Sequence, residues 1–103
     1  MSRNEPKERR REMYQAILEL KDLDECMDFF EDVCAMTELH SMEQRYEVAK
    51  MLHQDKVYTE IMEKTKASTA TISRVKRMMN YGTGCLPRIL DRMKEKETSG
   101  TGK

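Results

Sequence analysis

Within this 103-residue chain, the run Ser68-Thr69-Ala70-Thr71-Ile72-Ser73-Arg74-Val75-Lys76-Arg77 holds the residue types and spacing best suited to chemistry. That chemistry is hydrogen bonding and charge rather than bond making. Short hydroxyl side chains can reach base edges or phosphate oxygens, Ala70 can lie against a thymine methyl, and Arg74, Lys76 and Arg77 supply cations. Helical spacing turns Ile72 and Val75 inward and leaves the polar residues outside, with Ser68 as N-cap and the positive end of the helix dipole behind it. Just upstream, a short helix over 58–64 carries Ile61, and Ala67 sits in the turn. Ile61, Ala67, Ile72 and Val75 form the apolar set needed for two helices to cross at a set angle, so the pattern predicts a helix-turn-helix at about 58–80. On this reading Lys64, Lys66, Ser68, Thr69, Ala70, Thr71, Ser73, Arg74, Lys76 and Arg77 face DNA. Thr69, Ala70, Thr71 and Ser73 would read bases, while Lys64, Lys66, Arg74, Lys76 and Arg77 would hold phosphates. Two residues depart from the usual pattern: Lys66 stands where glycine is favoured, at a cost of about 1 kcal/mol if left-handed, and Met62 stands where a small residue eases the crossing. The plainer alternative is a capped, solvated surface helix.

Other chemistries find less support. Cys26, Cys34 and Cys85 form no C-x-x-C pair and have no usual zinc spacing with His40 or His53, so reduced thiols and no metal are expected. Asp22, Asp24, Asp28, Glu31 and Asp32 fall at helical spacing and lack the glycine turn and terminal Glu of a calcium loop. No nucleophile has a placed base and there is no glycine-rich phosphate loop, so the chain is not expected to be an enzyme. Arg9-Arg10-Arg11 is read as part of a solvated charged face rather than a DNA arm.

The composition hides a division of charge. Residues 1–21 carry six Lys/Arg against four Asp/Glu, residues 22–55 two against ten, and residues 56–96 ten against four, while the whole chain is neutral. Phosphate attraction depends on the field within a Debye length of about 8 Å, so a neutral protein can still present a basic face. That face belongs in the second half. With 38% hydrophobic and 37% charged residues, no apolar run long enough for a bilayer and no apolar leader, the expected setting is the cytoplasm.

The elements that must position these residues are helical throughout. Helices are expected over 7–21, with Met13, Ala16, Ile17 and Leu20 on one face, and from a capping box at Asp22 and Glu25, with the stripe Leu23, Cys26, Met27, Phe30, Val33 and Cys34. A third is expected over 38–53 with Leu39, Met42, Tyr46, Ala49 and Leu52 inward. After the helix-turn-helix, Gly82 suits a left-handed helix end, and Leu86, Ile89, Leu90 and Met93 mark a last helix with Pro87 in its first turn. Residues 1–97 thus form one helical domain, and 98–103, small and polar, a disordered tail. A chain of this size buries only about 60 to 65% of its unfolded surface, which favours a dimer.

The string 66–77 followed by Asn80-Tyr81-Gly82, with Gln44-Arg45-Tyr46-Glu47-Val48-Ala49-Lys50-Met51-Leu52 and Lys21-Asp22-Leu23-Asp24-Glu25-Cys26 upstream, resembles the Trp repressor superfamily, and within it the YerC/YecD-like branch. The resemblance implies an all-α bundle of about six helices, an intertwined homodimer with two projecting helix-turn-helix units, and a transcriptional regulator of the repressor kind bound to double-stranded DNA. In that family a corepressor can lie between two guanidiniums, matching Arg45 and Arg74 here. A glycine follows the second arginine there, whereas Val75, β-branched, narrows the space in this chain. No cofactor is therefore expected, a tryptophan-like corepressor being the alternative. The competing function is a protein-interaction module that keeps the fold without sequence-specific DNA binding.

Overall fold

The computed structural model describes residues 9–100, all helix and connecting turns. The helices are α1 (Arg11–Ile17), α2 (Leu23–Val33), α3 (Met36–His53), α4 (Tyr58–Thr65), α5 (Thr69–Tyr81) and α6 (Cys85–Gly100). Among the described residues none forms a strand, and no helix is long and apolar enough to cross a membrane. Contacts divide the chain into two units, Met1–Leu39 and His40–Lys103.

In the first unit the expected capping box forms. The Asp22 carboxylate accepts from the Glu25 amide at 2.8 Å, and the Glu25 carboxylate accepts from the amide of Lys21, one residue before the cap, also at 2.8 Å. Cys34 ends α2 in extended backbone. Neither α1 nor α2 contains a buried residue. Leu23, Met27 and Val33 are 72%, 58% and 54% exposed, so the apolar stripe exists but stays largely uncovered.

Helix α1 is shorter than the expected 7–21: it opens at Arg11 and closes at Ile17, while Lys7 and Glu8 lie outside the described residues. The Glu19 and Leu20 amides reach back only three residues, to Ala16 and Ile17, tightening the last turn. Beyond it the chain must straighten, because Asp22 caps α2 with extended backbone (φ −150°, ψ −179°).

The second unit holds the core: Val48, Ala49, Met51, Ile61, Ala67, Ile72, Val75 and Leu90, flanked by Tyr46, Leu52, Tyr58, Met79 and Leu86. On α3 the burial differs from the expected stripe. Val48 and Met51 are buried beside Ala49, whereas Met42 is 40% exposed and Tyr46 and Leu52 are only half-buried. The reason is convergence: residues of α4, α5 and α6 gather on the last turns of α3, so depth there follows the neighbours rather than the helix's own pattern. The start of α3 lies at Met36, where the Glu38 carboxylate accepts from the Ala35 amide at 2.7 Å. His53 Nε2 lies 2.7 Å from Asp91 Oδ1, joining the end of α3 to α6.

Two expectations about the C-terminal part are revised. Gly82 is not left-handed (φ −86°); that conformation belongs to Gly84 (φ 87°). Glycine is still required at 82, because a Cβ there would lie 2.5 Å from the Met78 carbonyl oxygen, to which the Gly82 amide donates. Helix α6 also continues through residues 98–100, where a disordered tail was expected. The Thr98 hydroxyl bonds back to the Lys94 carbonyl at 2.8 Å, keeping this small polar residue within the helical frame. Residues 101–103 lie outside the described residues.

Ile72 has no exposed surface, so Ile72→Ala is expected to lower unfolding free energy by about 2 to 5 kcal/mol. Val57→Ala, at a position 62% exposed, should change it by about 0.5 kcal/mol or less. Urea unfolding of the two variants checks the contrast, and equal losses would place the core elsewhere.

Candidate nucleic-acid interface

The interface rests on how α4 stops and α5 starts. Lys66 takes the left-handed conformation (φ 65°, ψ 14°), and its amide closes α4 on the Met62 carbonyl at 2.8 Å. The Thr65 hydroxyl donates to the Ile61 carbonyl at 2.7 Å and accepts from the Ala67 amide at 3.1 Å. Ala67 is then buried at 4% exposure, and Ser68 caps α5 by accepting from the Thr71 amide at 3.1 Å. Lys66 thus reverses the chain, Ala67 fills the core and Ser68 caps the next helix.

From that start, helical spacing sorts α5 as expected. Ile72 and Val75 are buried with Ile61 and Ala67, and Thr69, Ala70, Ser73, Arg74, Lys76 and Arg77 are exposed, as are Lys64, Lys66 and Ser68. Helix α5 contains no acidic residue. Among the described residues none of Lys64, Lys66, Arg74, Lys76 and Arg77 has a carboxylate within ion-pairing distance, so their charge is not neutralised locally. Unpaired cations beside short hydroxyls suit a polyanion with readable base edges.

Thr71 differs from its neighbours. It is half-buried, and its hydroxyl accepts from Ser68 at 3.2 Å, so its polar atoms serve the cap. A Ser and a Thr three residues apart at a helix start suit capping and base contact alike, and Thr71, accepting from Ser68, keeps its own O–H to donate.

Arg45 on α3 and Arg74 on α5 are both exposed. Two clefts of this unit are lined by other residues. One of about 430 Å³ involves His40, Ser41, Glu43, Gln44, Glu47, Lys64 and Thr65. Another of about 560 Å³ involves His53, Lys56, Tyr58, Lys76 and Asn80, among others. Val75, following Arg74, is 1% exposed and belongs to the core. Among the described residues no group of three or more His, Cys, Asp or Glu is placed to hold a metal.

A feature invisible to periodicity is the Gln44 side chain, whose Nε2 donates to the Thr65 carbonyl at 3.0 Å across 21 residues of sequence. No local pattern announces so distant a partner: of the residues three and four positions from Gln44, His40, Ser41 and Glu47 are exposed and only Val48 is buried.

An all-helical chain whose capped helix-turn-helix presents unpaired cations falls in the class of DNA-binding regulators. Residues 8–94 match the family of the Trp repressor protein, and the chain belongs to that family, whose members are regulatory DNA-binding proteins and not enzymes. It is 50% identical over 92 residues to the uncharacterized protein YerC of Bacillus subtilis, covering 89% of this chain and 88% of that one, in keeping with the expected branch. A crystal structure of a TrpR-like protein from Eubacterium eligens superimposes with a TM-score of 0.78 at 57% identity, covering 81% of this chain and 86% of that chain. A candidate Trp repressor from Staphylococcus aureus gives 0.77 at 47% identity, with coverage of 81% and 83%.

Left-handed backbone at a non-glycine residue costs about 1 kcal/mol, so Lys66→Gly should stabilise the protein by about that amount. The same change removes a cation next to α5, so affinity for duplex DNA should fall as stability rises. Urea unfolding and a duplex titration read the two effects separately; a less stable Lys66→Gly would mean that the turn stores no such strain.

Proposed function

We propose that this protein is a sequence-specific transcriptional regulator, a repressor in kind, that acts in the cytoplasm as a homodimer and inserts one α5 per subunit into successive major grooves. The observation that carries this reading is the exposed face of α5, with unpaired Arg74, Lys76 and Arg77 beside Thr69, Ala70 and Ser73, on the helix-turn-helix of a Trp repressor family member. Thr69, Ala70 and Ser73 read bases, and Thr71 and Ser68 hold the helix start against the backbone. Lys64, Lys66, Arg74, Lys76 and Arg77 hold phosphates. The family's name supplies the repressor sense.

The homodimer is supported by α2, whose stripe of Leu23, Met27 and Val33 stays exposed and needs a cover. Half-site centres then lie roughly 34 Å apart, one helical turn of DNA. Binding needs no amino-acid corepressor between Arg45 and Arg74, because Val75 is packed in the core beside the position such a ligand would take.

Selection of bound duplexes from a random pool, at physiological salt and without added ligand, is expected to enrich a two-fold-symmetric site, unchanged by added L-tryptophan. Lys76→Ala should weaken binding to every duplex and flatten the log affinity against log salt slope by about one unit. A changed base preference at an unaltered slope would reverse the roles given to Lys76 and the hydroxyls. Absence of enrichment by a folded dimer at any salt would favour an interaction module instead.

Placing a charge on the exposed stripe tests the dimer. Met27→Lys is expected to convert the protein from dimer to monomer in sedimentation at micromolar concentration, with loss of helical signal from the first unit. A protein already monomeric at tens of micromolar would overturn the arrangement.

A further inference from the structure

We infer that Gln44 is a positioning residue for the recognition helix, holding the turn between α4 and α5 at the angle from which α5 reads DNA; this rests on the DNA-binding reading above. The last carbonyls of any helix lack partners within it. In α4 the Met62 carbonyl takes the Lys66 amide, whereas the Thr65 carbonyl takes the Gln44 amide at 3.0 Å from another helix. The next turn of α3 carries Val48 and Ala49, both fully buried, so the donor is mounted on the most constrained part of the unit. Thr65 is held at its hydroxyl as well, between the Ile61 carbonyl and the Ala67 amide.

Thr65 is the last residue of α4, so a hold on its carbonyl fixes the end from which residues 66–68 lead into α5. Helix α5 has 13 residues, and at about 1.5 Å per residue it is a lever about 20 Å long, its far end moved by about 3 Å for a tilt of about ten degrees. Hydrogen bonds to base edges tolerate only a few tenths of an ångström, whereas long lysine and arginine side chains follow a phosphate over larger shifts. Losing the Gln44 donor should therefore cost discrimination between sequences more than it costs charge-driven binding.

Gln44→Met and Gln44→Glu keep the side chain's length and remove the donor, only the second adding charge. In both, amide exchange at 66–68 should accelerate while the amides of Val48 and Ile72 stay protected. The ratio of affinities for a duplex recovered by selection and an unrelated duplex of equal length should fall about five- to tenfold, the size expected for one lost hydrogen bond, and in Gln44→Met, which adds no charge beside Lys64, at an unchanged salt slope. An unchanged ratio, or equal loss on both duplexes with a lower melting temperature, would overturn the inference. If the unsubstituted protein binds no duplex, the DNA-binding reading fails, and exchange at the turn still decides: acceleration upholds the clamp, and parent-like exchange overturns it.

Discussion

Neither α4, with eight residues, nor α5, with 13, is long enough to be a stable helix on its own in water, and everything this unit presents to a partner depends on packing them together. The contact that does so is small. Ile61 and Ile72 have no exposed surface, Ala67 fills the angle between them, and Val48 and Ala49 of α3 with Leu90 of α6 close the same cluster. The turn has to bury Ala67 while its neighbours bond to the ends of both helices, which requires a left-handed residue before it and a capping residue after it. Once those three conformations are set, the outward direction of Thr69, Ser73 and Arg77 follows from helical geometry.

Charge works on a different scale from packing. A chain with equal numbers of acids and bases has little long-range field, so attraction to DNA must come from a face where cations stand without acids nearby. Helix α5 meets that condition by excluding acids altogether, while α2 carries Asp24, Asp28, Glu31 and Asp32 and repels phosphates. Overall neutrality thus leaves one short segment, α5, as a helix with cations and no acids. Its hydroxyl side chains are short, so only a close approach would bring them within hydrogen-bonding distance of a base edge, which makes orientation as important as charge.

The features legible in the sequence were those written over a few residues: the Asp22 and Glu25 box, the Ser68 cap, and the inward set Ile61, Ala67, Ile72 and Val75, all found in place. Those misread depend on distant partners or on competition between neighbours. The burial of Val48 and Met51 reflects what other helices bring to α3, and the Thr65 carbonyl is claimed by Gln44 from 21 residues away. Helix α1 stops at Ile17 in a tightened last turn, where the Glu19 and Leu20 amides reach back only three residues, a local closure that apolar spacing cannot express. The left-handed conformation expected at Gly82 is found at Gly84, because two glycines so close each answer a different need, one for room beside a carbonyl and one for positive φ. At the candidate site the exposure of the cations was readable from spacing, whereas the Ser68–Thr71 hydroxyl pair was not, since a hydroxyl at a helix start has more than one possible partner and only geometry chooses.

The first unit has a different balance from the second. Its two helices have seven and 11 residues, bury nothing fully and are capped well only at Asp22, so local interactions cannot stabilise them. Their apolar side chains nevertheless fall on one stripe of α2, with acids on the remaining surface, a pattern that in water is unfavourable unless something covers the stripe. The acids also restrict the cover. A surface docking there must be apolar at its centre, and the surrounding carboxylates keep the polyanion that suits α5 away from α2. The two helices therefore differ in what they offer water: α2 an apolar stripe among acids, α5 cations and hydroxyls with no acid among them.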